Sequence, residues 1–338
     1  MNVSCDTLSG CPGRYCGRLS NGDGMCQSLC RACPLGHQIT TLNDICTPCN
    51  QDADLRDYMF FVFMVLLTLS GHLVILAVEA IKGLKTRLSI IITACSCIME
   101  CIIAAILTLL LFEPYGDVVI KSCGAKQVSD FYPIFYNPIP DFVHELNCVS
   151  EVVHPLYSFV FVFLGFSLLF LVLFRGVASY LMRWCFRKKL INRASIFYSL
   201  IWIPFVVLFH AIFAGLIYFS FDYLSLIAGT IVFAIISVVA QKETEESSYH
   251  HDEVKFKFAF KLWKNPLYLS FGVMCTLFTM TGILSLTDEI DSNTLRLQLL
   301  PVAITPFVTF PLLSTFANPD HYLTAWGSRP RGYNGPLS

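Results

Sequence analysis

The sequence predicts an all-α, polytopic membrane protein with seven transmembrane helices and a small N-terminal, disulfide-rich lumenal domain. Three observations support this fold class. Of the 338 residues, 55% are hydrophobic and 14% are charged, whereas soluble domains carry about 25% charged residues. Apolar runs of about 20 residues, enough for one helix across a bilayer, recur along the chain. Eight of the 15 cysteines lie within the first 49 residues.

Residues 1–57 are predicted to form a Cys-rich head. A segment this short cannot be stabilised by a hydrophobic core alone, so we expect cysteines to stabilise it. Two Cys-x-x-Cys pairs with 12 residues between them also resemble a zinc site. On an oxidising side of a membrane, disulfides are favoured over zinc. The disulfide candidates in the head are Cys5, Cys11, Cys16, Cys26, Cys30, Cys33, Cys46 and Cys49.

The membrane domain is predicted over residues 58–316. The expected spans are 58–78, 88–112, 156–174, 195–219, 223–240, 266–286 and 297–316. Only a tight turn near Phe221 and Asp222 separates the fourth span from the fifth. If these two were a single crossing, the number of spans would fall by one and every later segment would change sides.

The distribution of Lys and Arg predicts the orientation. With the N-terminus outside the cytosol, the cytosolic segments are 79–87, 175–194, 241–265 and the flexible tail 317–338. They carry 16 Lys and Arg residues, and the opposite side carries 7. Because Lys and Arg concentrate in cytosolic loops, we expect the N-terminus to be lumenal and the C-terminus to be cytosolic.

The lumenal loop 113–155 provides an independent indication of sidedness. It contains two cysteines, Cys123 and Cys148. An even pair in an otherwise cysteine-free loop is typical of one disulfide in an oxidising compartment. We therefore add both residues to the disulfide candidates and expect them to bond to each other.

Three polar residues inside the predicted spans are candidate functional residues: Glu100, His72 and His210. An ionisable group within a membrane is costly and is a functional hypothesis by default. Glu100 lies in the middle of the second span with no visible partner acid. It is either a hydrogen-bonded structural group or part of a proton or ion relay, and the sequence leaves both open.

The sequence contains no recognisable catalytic motif. It has no paired acids for intramembrane proteolysis, no His-rich metal box and no nucleotide-binding loop. We therefore predict no catalytic residue, no metal site and no cofactor, and we do not expect an enzyme. The formal net charge of −1 does not indicate a nucleic-acid partner, whereas the lipid bilayer is an expected partner.

A seven-helix, ligand-activated receptor with a Cys-rich ectodomain is the alternative function. The segment "NPDHY" at residues 318–322 fits the Asn-Pro-x-x-Tyr pattern of rhodopsin-like receptors. Other marks of those receptors are missing. The third span ends in "LFRGVASYL" without an Asp-Arg-Tyr box, and the sixth span has no Cys-Trp-x-Pro element. We expect the match to be accidental.

The loop and head motifs resemble the Jun N-terminal kinase-associated membrane protein family. In the head, the resemblance rests on "YCG" at residues 15–17 and "CPLG" at residues 33–36. In the loop and at its end, it rests on Pro114, Gly116, Ser122, Cys123, Ser129, Asp130, Tyr136, Asn137, Pro138, Pro140, Asp141, Cys148, Glu151, Pro155, Leu156 and Tyr157. The similarity covers residues 11–163 best. Cys5 and Cys26 are additional to the family pattern, which makes them candidates to bond to each other.

The resemblance implies a non-enzymatic adaptor in the endoplasmic reticulum membrane, with the plasma membrane as the alternative location. Members of the family are understood to associate with a membrane ubiquitin ligase and with proteasome subunits. These associations place them in the degradation of misfolded endoplasmic-reticulum proteins and in the unfolded protein response. The family also implies binding of a stress-activated MAP kinase.

Overall fold

The computed structural model describes most of the chain. The described residues are 3–4, 10–11, 13–20, 25–26, 29–40, 44–82, 87–135, 148, 150–186, 193–247, 266–288 and 293–316. Several predicted features lie outside these residues, namely Cys5, the tail 317–338, and the loop residues Tyr136, Asn137, Pro138, Pro140 and Asp141.

Six helices form the membrane domain within the described residues. They are α1 (Leu55–Ile81), α2 (Arg87–Leu111), α3 (Leu156–Phe186), α4 (Arg193–Ser247), α5 (Pro266–Leu286) and α6 (Asn293–Phe316). Five of them contain an apolar stretch long enough to cross a membrane: Leu55–Ala80, Leu88–Leu111, Leu156–Tyr180, Ser195–Ile235 and Pro266–Leu286. The apolar stretch of α6, Leu297–Thr309, is shorter.

The predicted fourth and fifth spans are joined in α4, which differs from the expected turn between two helices. The helix is unbroken from Arg193 to Ser247. Its 41-residue apolar stretch would be about 60 Å long if straight, twice the hydrocarbon thickness of about 30 Å. The sequence between the two spans contains neither Gly nor Pro, so no residue there ends the helix.

Contacts of α4 show that it is not straight. Asp222, near the predicted turn, accepts a hydrogen bond at 3.1 Å from Arg56 in the first turn of α1. The same carboxylate accepts a hydrogen bond from Ser285 in the last turn of α5. The middle of α4 therefore lies beside the start of α1 and the end of α5.

On either side of these contacts, α4 packs against other helices of the bundle. On one side, Trp202 donates a hydrogen bond at 3.1 Å to the carbonyl of Thr68, well inside α1. On the other side, Gly229 lies next to Phe278, whose ring is 6.1 Å from that of Phe63, also inside α1. If α4 were straight, either the half that contains Trp202 or the half that contains Gly229 would point away from α1. We infer that α4 bends sharply near its middle.

The central helix of the bundle is α1. Within its apolar stretch 56% of the residues are buried, against 33–44% in the other four candidate spans. Aromatic side chains dominate the surrounding core, and those that are almost completely buried include Phe60, Phe163, Phe221, Phe271 and Phe278. Burial of these large aromatic side chains contributes much of the packing between the helices.

The head consists of short antiparallel strand pairs. β1 (Val3–Ser4) pairs with β3 (Met25–Cys26), β2 (Cys16–Gly17) with β4 (Arg31–Ala32), β5 (His37–Thr40) with β6 (Ile45–Pro48), and β7 (Gln51–Asp52) with β8 (Lys121–Ser122). The last pair joins the head to the loop between α2 and α3, since Gln51 is opposite Ser122.

Disulfides join the head to the same loop, and this corrects the predicted pairing. The described bonds are Cys11–Cys30, Cys33–Cys46, Cys16–Cys148 and Cys49–Cys123. Cys26 is also disulfide-bonded. The two loop cysteines therefore bond to the head and not to each other. The loop pair was expected because both residues share one loop, but the head folds over that loop and brings its own cysteines closer.

Candidate functional site

Among the residues that the structure describes, the most buried ion pair joins α2 to α3. Glu100 of α2 and Arg175 of α3 have side chains that are each 1% exposed. Arg175 donates from Nε to Oε1 of Glu100 at 3.0 Å and from Nη2 to Oε2 at 2.9 Å. This bidentate arrangement is the strongest geometry for a carboxylate–guanidinium pair. It compensates part of the free-energy cost of burying both charges.

Two further groups complete the coordination of Arg175. Its Nη1 donates to Oγ of Ser199 at 2.6 Å, and its Nη2 donates to Sγ of Cys97 at 3.2 Å. Because Ser199 belongs to α4, the site connects three helices. The charged groups of this site have hydrogen-bond partners, as is typical of a buried network with a structural role.

Arg175 lies inside a helix where the sequence predicted the first residue of the segment 175–194; the cytosolic placement of the rest of that segment stays a prediction. That segment was placed in the cytosol, but Arg175 lies inside the apolar stretch Leu156–Tyr180 and is buried. The partner of Glu100 was therefore missed. A signal was present in the sequence, since Arg175 is separated from the other basic residues of the segment by seven uncharged residues.

The structure does not bring the three predicted intramembrane residues together. Nε2 of His210 donates to the carbonyl of Tyr157 at 3.0 Å, near the start of α3. His72 is 2% exposed on α1, and within the described residues its Nδ1 has no hydrogen-bond partner. The described contacts give no relay between Glu100, His72 and His210. In the same part of the chain, no group of three or more His, Cys, Asp or Glu residues could hold a metal ion.

A second polar site lies where α4 bends. Arg56 pairs with Asp222 at 3.1 Å, and its guanidinium carbon lies 5.6 Å from the ring centre of Tyr218. The hydroxyl of Tyr218 donates to Asp57 at 2.6 Å. These contacts fix the first turn of α1 to both sides of the bend. The sequence places Arg56 and Asp57 ahead of the first predicted span, so their partners on α4 could not be identified from it.

The head contacts the loop through Tyr15, which lies beside the disulfides. Its hydroxyl donates to Asp130 at 2.9 Å and is hydrogen-bonded to Ser129 at 2.9 Å. The other carboxylate oxygen of Asp130 accepts the backbone N–H groups of Lys126 and Gln127, each at 2.9 Å. Burial raises the pKa of Tyr15 to about 12, so its hydroxyl remains a donor at neutral pH.

Glu151 holds the start of α3. Its Oε1 accepts the backbone N–H groups of Tyr157 at 3.1 Å and Ser158 at 2.9 Å, and its Oε2 lies 3.7 Å from Nδ1 of His154. Burial alone would raise the pKa of Glu151, but His154 and the N–H of Ser158 bring it below its usual value. An ionised carboxylate at a helix N-terminus is also favoured by the helix dipole.

The loop motif thus has a structural role at the points the structure describes. Pro155 directly precedes α3, Leu156 is its buried first residue, and the hydroxyl of Tyr157 donates to the carbonyl of Ala211 at 3.2 Å. The head, the loop and the starts of the helices form one connected unit. These residues are also part of the loop motif that carried the sequence resemblance.

A family model described as JNK1/MAPK8-associated membrane protein matches residues 11–319. The chain belongs to this family. The resemblance seen in the head and the loop is therefore confirmed, and the match continues well beyond residue 163. Membership supports a role as a membrane adaptor, because the family description names an association with another protein and not a reaction.

Curated relatives match over nearly the full length. The JNK1/MAPK8-associated membrane protein of Mus musculus is 29% identical over 325 residues, covering 95% of this chain and 98% of the relative. The Homo sapiens protein of the same name is 28% identical over the same shares. A homolog from Caenorhabditis elegans is 22% identical over 86% of this chain and 84% of its own length. No solved structure matches.

Proposed function

We propose that the chain is a non-enzymatic adaptor of the endoplasmic reticulum membrane. It binds a stress-activated MAP kinase and recruits a membrane ubiquitin ligase and proteasome subunits, for the degradation of misfolded endoplasmic-reticulum proteins. The observation that carries the proposal is the family match over residues 11–319. The kinase follows from the names of the curated relatives, and the ligase and proteasome from the family resemblance of the head and loop.

The proposed topology has seven crossings. Five apolar stretches are long enough to span a membrane. The bend of α4 gives the stretch Ser195–Ile235 two crossings of about 20 residues each, and α6 supplies the seventh. This arrangement places the start of α1 and the bend of α4 on one side, in keeping with the contact of Arg56 with Asp222.

The disulfides support a lumenal N-terminus. Cys16–Cys148 and Cys49–Cys123 require the head and the loop to share one side of the membrane. Disulfides persist in the oxidising lumen and are rare in the cytosol. With seven crossings, the C-terminus is then cytosolic, on the side where the kinase, the ligase machinery and the proteasome would be reached.

The proposed mechanism is that of a scaffold. Buried polar contacts on both halves of α4 hold the helices in a fixed arrangement, so the cytosolic segments between them are presented from a rigid base. The cytosolic segments 79–87 and 241–265 and the tail 317–338 would then collect soluble partners beside a membrane ligase. Binding of two partners to one scaffold raises their effective concentration without any new contact between them.

Topology is tested by inserting Asn-x-Thr glycosylation acceptors into the full chain. An acceptor in the exposed loop near Asp117 should be glycosylated, as should one between residues 288 and 293, whereas one in the tail should not. A single crossing by α4 would reverse the last two results. Staining of intact cells for the head tests the location, because a plasma-membrane receptor would display the head outside and the proposed adaptor would not.

Partner recruitment is tested by proximity labelling from an enzyme fused to the C-terminus, in cells under folding stress. The proposal expects a stress-activated MAP kinase, ligase subunits and proteasome subunits to be labelled above an unrelated multi-pass protein of the same membrane. Labelling of none of them would refute the adaptor proposal. Labelling of the kinase alone would refute the degradation role and retain the kinase role.

A further inference from the structure

A groove of about 600 Å³ opens between the last two turns of α1 and the first turns of α4. Its walls are mainly apolar, and they include Val74, Ile75, Val78, Ile201, Trp202 and Phe205. Three of these side chains are about half exposed, namely Val78 at 45%, Ile201 at 52% and Phe205 at 55%. Because both helices belong to the candidate spans, we expect the groove to open sideways toward lipid.

The inner wall of the groove is rigid. A Cβ atom at Gly71 would lie 2.0 Å from the indole of Trp202, so only glycine allows the ring to pack directly on α1. Nε1 of Trp202 then donates to the carbonyl of Thr68 at 3.1 Å. The face of the indole packs on Gly71 and its N–H is hydrogen-bonded to Thr68. The groove is therefore formed before any ligand enters. A preformed site avoids the entropic cost of ordering its walls on binding.

Two charged side chains line one end of the groove. Glu79 is 4% exposed, and Lys82 follows one turn later at the end of α1, where its backbone N–H bonds to the carbonyl of Val78 at 3.2 Å. Both line the groove together with the apolar walls. An elongated apolar slot with an ammonium and a carboxylate at one end is complementary to an amphiphile whose headgroup carries both signs of charge.

The volume selects the class of ligand. A transmembrane helix is about 10 Å wide and 30 Å long, a cylinder of roughly 2,400 Å³. The groove of about 600 Å³ accommodates about a quarter of that, whereas single small ligands occupy sites of roughly 300–1,000 Å³. One acyl chain of a lipid, with its second chain left in the surrounding bilayer, fits the space and the charge pattern better than a helix of another protein.

We propose that this groove is a binding site for one glycerophospholipid with an amine in its headgroup. One acyl chain lies along Val78, Ile201 and Phe205. The headgroup phosphate lies near the ammonium of Lys82, and the headgroup amine lies near the carboxylate of Glu79. The site is independent of the proposed adaptor function, since it requires neither the kinase nor the degradation machinery.

The test uses the full chain in phosphatidylglycerol nanodiscs, whose headgroups contain no amine, with a small fraction of phosphatidylethanolamine that carries a photoactivatable acyl chain. Labelled peptides should map to residues 74–82 and 198–205. Ile201→Trp fills the groove and should lower labelling about tenfold or more, since it displaces several buried methylene groups. The matched control is Ile227→Trp, at a position of α4 that is 54% exposed but outside the groove, and it should leave labelling unchanged.

The headgroup contact is tested separately. Lys82→Gln should lower labelling by phosphatidylethanolamine about two- to fivefold, the range expected for a partly exposed ion pair. A diacylglycerol probe, which has no phosphate, should label weakly and should not respond to Lys82→Gln. Gel filtration of each variant shows whether it remains folded and monodisperse.

Several outcomes would overturn the proposal. Labelling that is insensitive to Ile201→Trp in a folded protein would remove the groove as the site. An equal loss of labelling in Ile227→Trp would show that the lipid contact is nonspecific. Equal labelling by the diacylglycerol probe would remove the headgroup from recognition, and crosslinks to the helix of another protein in place of lipid would assign the groove to a protein partner.

Discussion

Arg175 of α3 donates hydrogen bonds from two of its nitrogens to Glu100 of α2 while both side chains are 1% exposed. An ionised group within a membrane helix is a candidate for transport chemistry. Here the carboxylate is occupied by a guanidinium that also reaches Ser199 on α4. The geometry favours a structural role, in which one ionic site fixes the relative positions of three helices.

Removing only Arg175 should destabilise the protein strongly. Arg175→Met leaves Glu100 buried without its partner, which costs about 3–5 kcal/mol. The double variant Arg175→Met with Glu100→Gln should recover a large part of this loss, because no uncompensated charge remains. Thermal unfolding in mild detergent, followed by fluorescence-detected gel filtration, measures both effects.

The control for this prediction is the exposed pair of Lys121 and Asp52, which lie 2.6 Å apart with side chains 38% and 70% exposed. Lys121→Gln should change stability by less than about 1 kcal/mol. If Arg175→Met had an effect no larger than this control, the buried ion pair would not be a determinant of the bundle. If Glu100→Gln abolished a transport activity without affecting unfolding, the relay hypothesis would replace the structural one.

The family, the helical architecture and the Cys-rich head could be predicted because they depend on local sequence. Apolar runs and cysteine density are properties of contiguous segments. Long-range pairings could not be predicted in the same way. Cys123 and Cys148 share a loop and suggested each other as partners, but each bonds to a cysteine of the head. The number of candidate pairings is too large for spacing to decide among them.

The same limitation applies to the buried charges. Glu100 was recognised as a costly residue, but Arg175 lies 75 positions away and stands near the end of its span, where Lys and Arg are common. The shape of α4 was also not predicted. The length of the apolar segment predicted two separate spans joined by a turn. The backbone is helical throughout, and neither Gly nor Pro lies between the two predicted spans.

The disulfide pairing predicts a specific peptide map. Digestion without reduction, after blocking of free thiols, should yield linked peptides that contain Cys16 with Cys148 and Cys49 with Cys123. Each bond closes a long loop, with sequence separations of 132 and 74 residues, so each should stabilise the fold by about 4–5 kcal/mol through the entropy of the unfolded chain.

A linked peptide containing Cys123 with Cys148 would contradict this pairing. The matched variants are Cys148→Ser, which should expose one free thiol at Cys16, and Cys30→Ser, which should expose one at Cys11 within the head. Only Cys148→Ser should also remove one of the two disulfides that join the head to the loop, and it should therefore accelerate hydrogen exchange around Cys16, while Cys49–Cys123 continues to hold residues 49–52 on the loop.

Tyr15→Phe should loosen the contact of the head with the loop. The change removes the hydroxyl that bonds to Asp130 and Ser129 and leaves a buried carboxylate oxygen without that partner, at a cost of about 1–3 kcal/mol. Hydrogen exchange should accelerate at the backbone N–H groups of Lys126 and Gln127, which bond to the same carboxylate. Tyr115→Phe is the control, since Tyr115 is 74% exposed, and unchanged exchange in Tyr15→Phe would contradict the role of this contact.

Glu151 should make the start of α3 sensitive to acid. Its pKa in the folded protein lies below the ordinary value of a glutamate, so folding favours its ionised form. The stabilisation is fully present above about pH 4.3, the unfolded value of a glutamate, and is lost as the pH falls through the lower folded pKa. The unfolding temperature of the wild type should therefore fall more steeply below about pH 4.3 than that of Glu151→Gln.

At neutral pH the same substitution should cost about 1–2 kcal/mol, because an amide accepts the N–H groups of Tyr157 and Ser158 more weakly than a carboxylate does. Glu113→Gln is the matched control, since Glu113 is exposed in the same loop, and its unfolding curve should follow the wild type at every pH. Parallel pH profiles for the wild type and Glu151→Gln would show that the carboxylate at the start of α3 does not couple protonation to folding.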